Sequence, residues 1–171
     1  HGPIIDCDIK ETIKYYQNFA ICKESNEVKV VIVYVSAYGY TKEMAEIIYE
    51  EISHNNIACE LFDLMETDEN IVFGHLVSAD VVLYGSATIL QDALPPMYNL
   101  INRVIAGYHG RKKVSAFGSY GWSGEAVANL LTRLKQQKMQ VLDEGLRIVF
   151  KPSEKQKTLI REYAQNIIRL K

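Results

Sequence analysis

The chain reads as an α/β protein, a doubly wound parallel sheet of five strands in the order 2-1-3-4-5. Three observations predict this. Strand-like and helix-like segments alternate along the 171 residues, five β-α units in series. Two of the strand segments, Val28 to Val35 and Asp80 to Ser86, are almost continuously apolar, as strands covered on both faces must be. Right-handed crossovers then leave few topologies, and 2-1-3-4-5 is the natural order for five strands.

Each element follows from its own pattern. Val28 to Val35 (VKVVIVYV) is β-branched and opens the sheet. Thr41 to Ser53 places Met44, Ala45, Ile47, Ile48 and Ile52 on one helical face. Ile57 to Phe62 is a short second strand. Glu69 to Ser78 predicts a helix, weakened by Gly74. Asp80 to Ser86 is the third strand. Pro95 and Pro96 suit the first turn of a helix that runs to about Ile105. Lys113 to Ser119 is the fourth strand, and Gly124 to Gln137 is a helix with Val127, Leu130, Leu131 and Leu134 on one side. Val141 to Phe150 contains a fifth strand interrupted by Asp143, Glu144 and Gly145. Glu154 to Leu170 is a closing amphipathic helix. Before all this, Ile9 to Phe19 is apolar-periodic and Glu24-Ser25-Asn26 reads as a linker, so the domain proper begins at residue 27.

Composition narrows the function. Apolar residues make up 48% of the chain, enough for a sizeable core. The formal net charge is -2 with acids and bases mixed, which argues against nucleic acid as a partner. Cys7, Cys22 and Cys59 match no zinc or C-x-x-C spacing and are read as free thiols of a reducing compartment, Cys59 as a core residue. No apolar run is long enough to span a membrane and no basic-then-apolar leader opens the chain, so the cytoplasm is the expected location. His54, His75 and His109 have no ligand spacing.

Sheets of this kind bind ligands beyond the carboxyl ends of their strands, at the switch point between strands 1 and 3. Three loops lie there. In Ser36 to Thr41 (SAYGYT), the start of a helix offers free N–H groups and a positive dipole end. Ser36 and Thr41 add hydroxyls, and Gly39 allows close approach, a pattern suited to a phosphate. The loop lacks the lysine of a triphosphate-binding loop and the G-x-G-x-x-G of a dinucleotide site. In the third loop, Trp122 stands between Gly121 and Gly124, with Tyr120 beside it. A flat apolar ligand would cover that indole; the alternative is packing onto a neighbouring loop. The middle loop, Gly85 to Pro96, offers Ser86, Thr88 and Gln91 to ring heteroatoms, or is a simple connection.

Together these loops resemble a flavodoxin, and more narrowly the flavodoxin-like domain of flavodiiron proteins. The resemblance is carried by SAYGYTKEMAE (Ser36 to Glu46), by GSAT…LPP where that family usually shows GSPT…LPP, and by AFGSYGWSGEAV (Ala116 to Val127). His1-Gly2-Pro3 is similar to the end of that family's metallo-β-lactamase-like domain, where the histidine is an iron ligand, and residues 1–26 resemble the connector that follows it.

The resemblance implies an FMN-binding electron-transfer domain of an oxygen or nitric oxide reductase, receiving electrons from rubredoxin or a flavin reductase and passing them to a diiron centre. The diiron site would lie in a domain this sequence lacks, with His1 its one metal ligand here; the full-length protein would be a possible homodimer. Ser36, Tyr38, Gly39, Tyr40 and Thr41 are implied to hold the FMN phosphate. Ser86, Ala87, Thr88, Ile89 and Leu90 would line one side of the flavin, and Ser119, Tyr120, Gly121, Trp122 and Gly124 the other. Ala87 and Ile89 depart from the family pattern. No side chain is implied as a catalytic acid, base or nucleophile, because the flavin does the chemistry. Trp122 and a negative charge such as Asp92 would then disfavour the reduced, anionic flavin. A stand-alone flavodoxin-type carrier and an FMN-dependent quinone reductase are alternatives on the same fold.

Overall fold

A computed structural model describes residues 9–10 and 28–171. His1, Cys7, Cys22 and most of the 1–26 connector with its Ile9 to Phe19 segment lie outside the described residues. From residue 28 on, the described residues form eight strands and six helices in order: β1 Lys29–Val35, α1 Tyr40–His54, β2 Ala58–Asp63, α2 Glu69–Ser78, β3 Val81–Ser86, β4 Thr88–Ile89, β5 Asp92–Ala93, α3 Pro95–Arg103, α4 Ala106–His109, β6 Lys113–Tyr120, α5 Glu125–Gln136, β7 Gln140–Val141, β8 Leu146–Val149 and α6 Glu154–Leu170.

The main sheet runs β2-β1-β3-β6-β7, with β8 also on β6, and every pairing in it is parallel. This is the predicted 2-1-3-4-5 order, with the fifth strand split into β7 and β8. The split falls at Asp143 to Gly145, where the sequence interrupts the apolar run. Asp143 accepts hydrogen bonds there from the Ser115 hydroxyl and from the Gly145 amide (2.9 Å), and the Tyr163 hydroxyl of α6 donates to Ser115 (2.7 Å). A partly buried polar chain thus pins the gap to β6 and α6.

Alternation along the strands explains the two-sided core. Val31, Val33 and Val35 face α2, α3 and α5, while Val30, Ile32 and Tyr34 face α1 and α6. β1 and β3 are therefore buried on both faces, which is why their sequences do not alternate. β2 is an edge strand, and Cys59 on it is half-buried rather than a core residue. Burial, then the carboxylate of Glu60, pushes its thiol up to about 12, so it stays protonated at neutral pH. The third helix stops at Arg103 and a separate turn, α4, covers 106–109. Among the described residues no helix is long and apolar enough to cross a membrane.

Candidate functional site at the carboxyl rim of the sheet

The three predicted loops meet. The Ala87 amide donates to the Val35 carbonyl (3.3 Å), tying the ends of β3 and β1. The hydroxyls of Thr41 and Ser119 lie 2.8 Å apart and join the first loop to the third. β6 presses against β3 so closely that a Cβ at Gly118 would sit 2.1 Å from the Ser86 carbonyl oxygen, a separation only glycine permits. The rim is therefore one continuous surface, built from β1, β3 and β6.

In the first loop, Ala37, Tyr38 and Gly39 are exposed. Gly39 is the N-cap of α1 in the left-handed region (φ 81°), and no side chain caps the helix. The first amides of α1 thus lack a side-chain acceptor. Beside them the Ser36 hydroxyl oxygen is buried and has no hydrogen-bond partner, a state that costs about 1–3 kcal/mol if nothing fills it. An orphaned donor beside an uncapped helix start is what a phosphate would complete. Thr41 plays a different part from a rim donor: its side chain is fully buried and engaged by Ser119. The Tyr38 and Tyr40 rings stand 6.4 Å apart at the mouth of the loop.

In the third loop Trp122 is 97% exposed, so the indole packs onto no neighbouring loop. Gly124, left-handed at φ 71°, begins α5 without a side-chain cap and seats against the Tyr120 ring, where a Cβ would come within 2.9 Å. Phe150, itself at φ 53°, covers Gly121 and donates its amide to the Tyr120 carbonyl (2.8 Å). Ser119 is buried behind the rim.

The middle loop is more than a connection. β4 and β5 form a small antiparallel hairpin whose two turn residues, Leu90 and Gln91, both have positive φ (50° and 63°). Leu90 projects at 94% exposure and Ile89 is partly exposed, while Ser86 and Ala87 are buried beneath. The Ser86 hydroxyl donates to the Ala87 carbonyl (2.9 Å) and accepts from the Leu94 amide (3.0 Å). Asp92 closes the hairpin. Its Oδ1 accepts from the Tyr98 hydroxyl (2.5 Å), the Asn129 side-chain amide (2.9 Å) and the Ala93 amide (2.8 Å). Burial raises the Asp92 carboxyl pKa, but these hydrogen bonds outweigh it and hold the group below its ordinary value. The negative charge that the sequence placed near the rim is thus fixed there.

The hairpin and its partners escaped the sequence reading because Leu-Gln is not a turn pair; the usual Asn-Gly or Asp-Gly is absent. Asn129 gave the one available signal, since asparagine is a poor residue for the middle of a helix unless its side chain is used.

With this geometry in view, the comparisons with known proteins decide the family. The sequence profile of the flavodoxin family matches residues 32–163. The chain belongs to the flavodoxin family. Its flavodoxin domain is homologous to that of flavodiiron proteins. It is 34% identical over 158 residues to the flavo-diiron protein FprA2 of Clostridium acetobutylicum, covering 90% of this chain and 40% of that protein. It is 27% identical over 171 residues to the anaerobic nitric oxide reductase flavorubredoxin of Escherichia coli O1:K1, covering 99% of this chain and 35% of that one. The chain thus spans well under half the length of these relatives. Among solved structures, rubredoxin oxygen:oxidoreductase of Desulfovibrio gigas superposes with a TM-score of 0.78 over 94% of this chain and 40% of its own; at 23% identity that likeness speaks for the fold. A flavodoxin from the domain Archaea superposes at 0.72 with 28% identity, covering 84% of this chain and 99% of its own.

Proposed function

We propose that this flavodoxin domain binds FMN and serves as the electron-transfer module of a flavodiiron-type oxygen or nitric oxide reductase. The observation that carries the reading is the pairing, on one rim, of a buried unpartnered Ser36 hydroxyl at an uncapped helix start with a fully exposed Trp122. Each is costly or idle alone, and a phosphorylated planar ring meets both needs.

The residues divide the work. Ser36 and the amides of Tyr38, Gly39, Tyr40 and Thr41 would hold the phosphate, with the α1 dipole favouring its charge. Trp122 and Tyr120, with Gly121 and Gly124, would form one wall of the ring site. Thr88, Ile89 and Leu90 would form the other, supported from below by Ser86 and Ala87. Ser119 and Thr41 join the two ends behind the ligand. Bound FMN would supply the one- and two-electron chemistry. The protein's part is to bind it, to exclude water from its faces and to keep the Asp92 carboxylate where it opposes added negative charge. The electron donor on this reading is rubredoxin or a flavin reductase, the acceptor a diiron centre in a neighbouring domain, and the compartment the cytoplasm.

A second reading, a stand-alone carrier, is favoured by the near-complete cover of the archaeal flavodoxin. Calorimetric titration of the purified protein with FMN tests the shared claim. Stoichiometric binding with a shifted visible spectrum is expected, and an absence of binding overturns both readings. Anaerobic stopped-flow reduction by rubredoxin tests the donor, with fast, saturable transfer expected.

A further inference from the structure

Leu90 and Gln91 pose a problem that the flavin reading alone does not solve. Both occupy the left-handed region, which residues with a Cβ avoid, and neither is glycine or asparagine. A two-residue hairpin of such residues would not hold its shape unaided. Partners from two helices hold it. Tyr98 of α3 and Asn129 of α5 both donate to Oδ1 of Asp92, and the Asn129 amide also approaches the Gln91 carbonyl (3.4 Å). α5 is the helix whose N-cap is Gly124 in the third loop, two residues after Trp122. The same rigid helix therefore presents the tryptophan loop at its N-terminus and grips the opposite wall one turn later.

We infer that Asn129 is a positioning residue that, with Asp92 and Tyr98, locks the Leu90–Gln91 hairpin in its ligand-ready shape and fixes the spacing between the two walls of the ring site. The inference rests on the flavin reading for what the walls hold, but the lock itself is made of protein groups alone. Protein groups alone hold Leu90 and Gln91 in the left-handed region, so ring binding need not order that wall.

The experiment compares wild type, Asn129→Ala and the double variant Asn129→Ala/Gln91→Gly. Asn129 is exposed and alanine is the better helix former, so folding is retained. Two readouts are taken: amide exchange across residues 88–93 without flavin, and calorimetric affinity for FMN and for riboflavin. In Asn129→Ala, exchange at the hairpin rises, and FMN and riboflavin weaken by the same factor, roughly five- to thirty-fold. Equal loss marks the ring end, since riboflavin has no phosphate. Gln91→Gly restores most of both, because glycine takes the left-handed conformation without help. Unchanged exchange and affinity in Asn129→Ala, or no recovery in the double variant, overturns the lock. Wild type that binds neither flavin overturns the flavin reading, while the exchange comparison still tests the lock.

Discussion

Apart from α3, whose first turn carries Pro95 and Pro96 and so has no N–H there to cap, four helices begin on the same rim of the sheet, and they begin in two ways. α2 and α6 are closed by their own sequence: Asp68 accepts from the Asn70 amide (2.8 Å), and Ser153 with Gln156 forms a full capping box. α1 and α5 start at left-handed glycines with no side-chain cap. The open pair follows β1 and β6, the strands that flank β3 at the switch point. The closed pair lies outside them. Capping is thus withheld where a ligand would supply the missing acceptor and provided where none is expected. Position in the sheet, rather than helix propensity, decides which solution the sequence uses.

The largest effect expected from breaking this contrast is at Ser36. Ser36→Ala removes an orphaned buried hydroxyl, so the flavin-free protein should melt no lower than wild type, while FMN affinity falls by about 1.5–3 kcal/mol with riboflavin nearly unaffected. Parallel calorimetry and thermal melts read both halves. At the closed ends the signs reverse: Asp68→Ala or Ser153→Ala should each cost about 0.5–2 kcal/mol of stability by denaturant titration, with unchanged flavin affinity.

Trp122→Ala sharpens the comparison at the ring end. Its side chain is exposed, so stability should move by no more than about 0.5 kcal/mol. FMN and riboflavin should weaken together by at least about 0.5–1.5 kcal/mol, the range of an aromatic pair beyond simple burial. The smallest effect is with pH. Asp92 sits below its ordinary value in the fold, so its contribution to stability is present at neutral pH. That contribution is lost as pH falls from about 4 through the depressed value. Denaturant melts at pH 5 and pH 3 should show the loss, and Asp92→Asn should flatten it.

Most of the fold was legible because its signals are local and redundant. The unbroken apolar runs of β1 and β3, the helical faces of α1 and α5, and the Pro95-Pro96 start of α3 each carry their own physics. The rim was legible where glycine and tryptophan mark it. What stayed hidden depends on contacts between distant residues. Nothing near Thr41 says that its hydroxyl will face Ser119, 78 positions away. Nothing near Leu90 says that Asn129 will hold a turn its own residues disfavour. Cys59 misled because an apolar run reads alike in a central strand and at an edge, and only the sheet order tells them apart.

The solitary indole has a further consequence. The sequence contains one tryptophan, and that residue stands almost wholly in water on one side of the candidate site. The protein's tryptophan emission therefore comes from a single place. A red, solvent-like spectrum belongs to the open rim, and its quenching on addition of an aromatic ligand would report the occupied fraction directly, without a label.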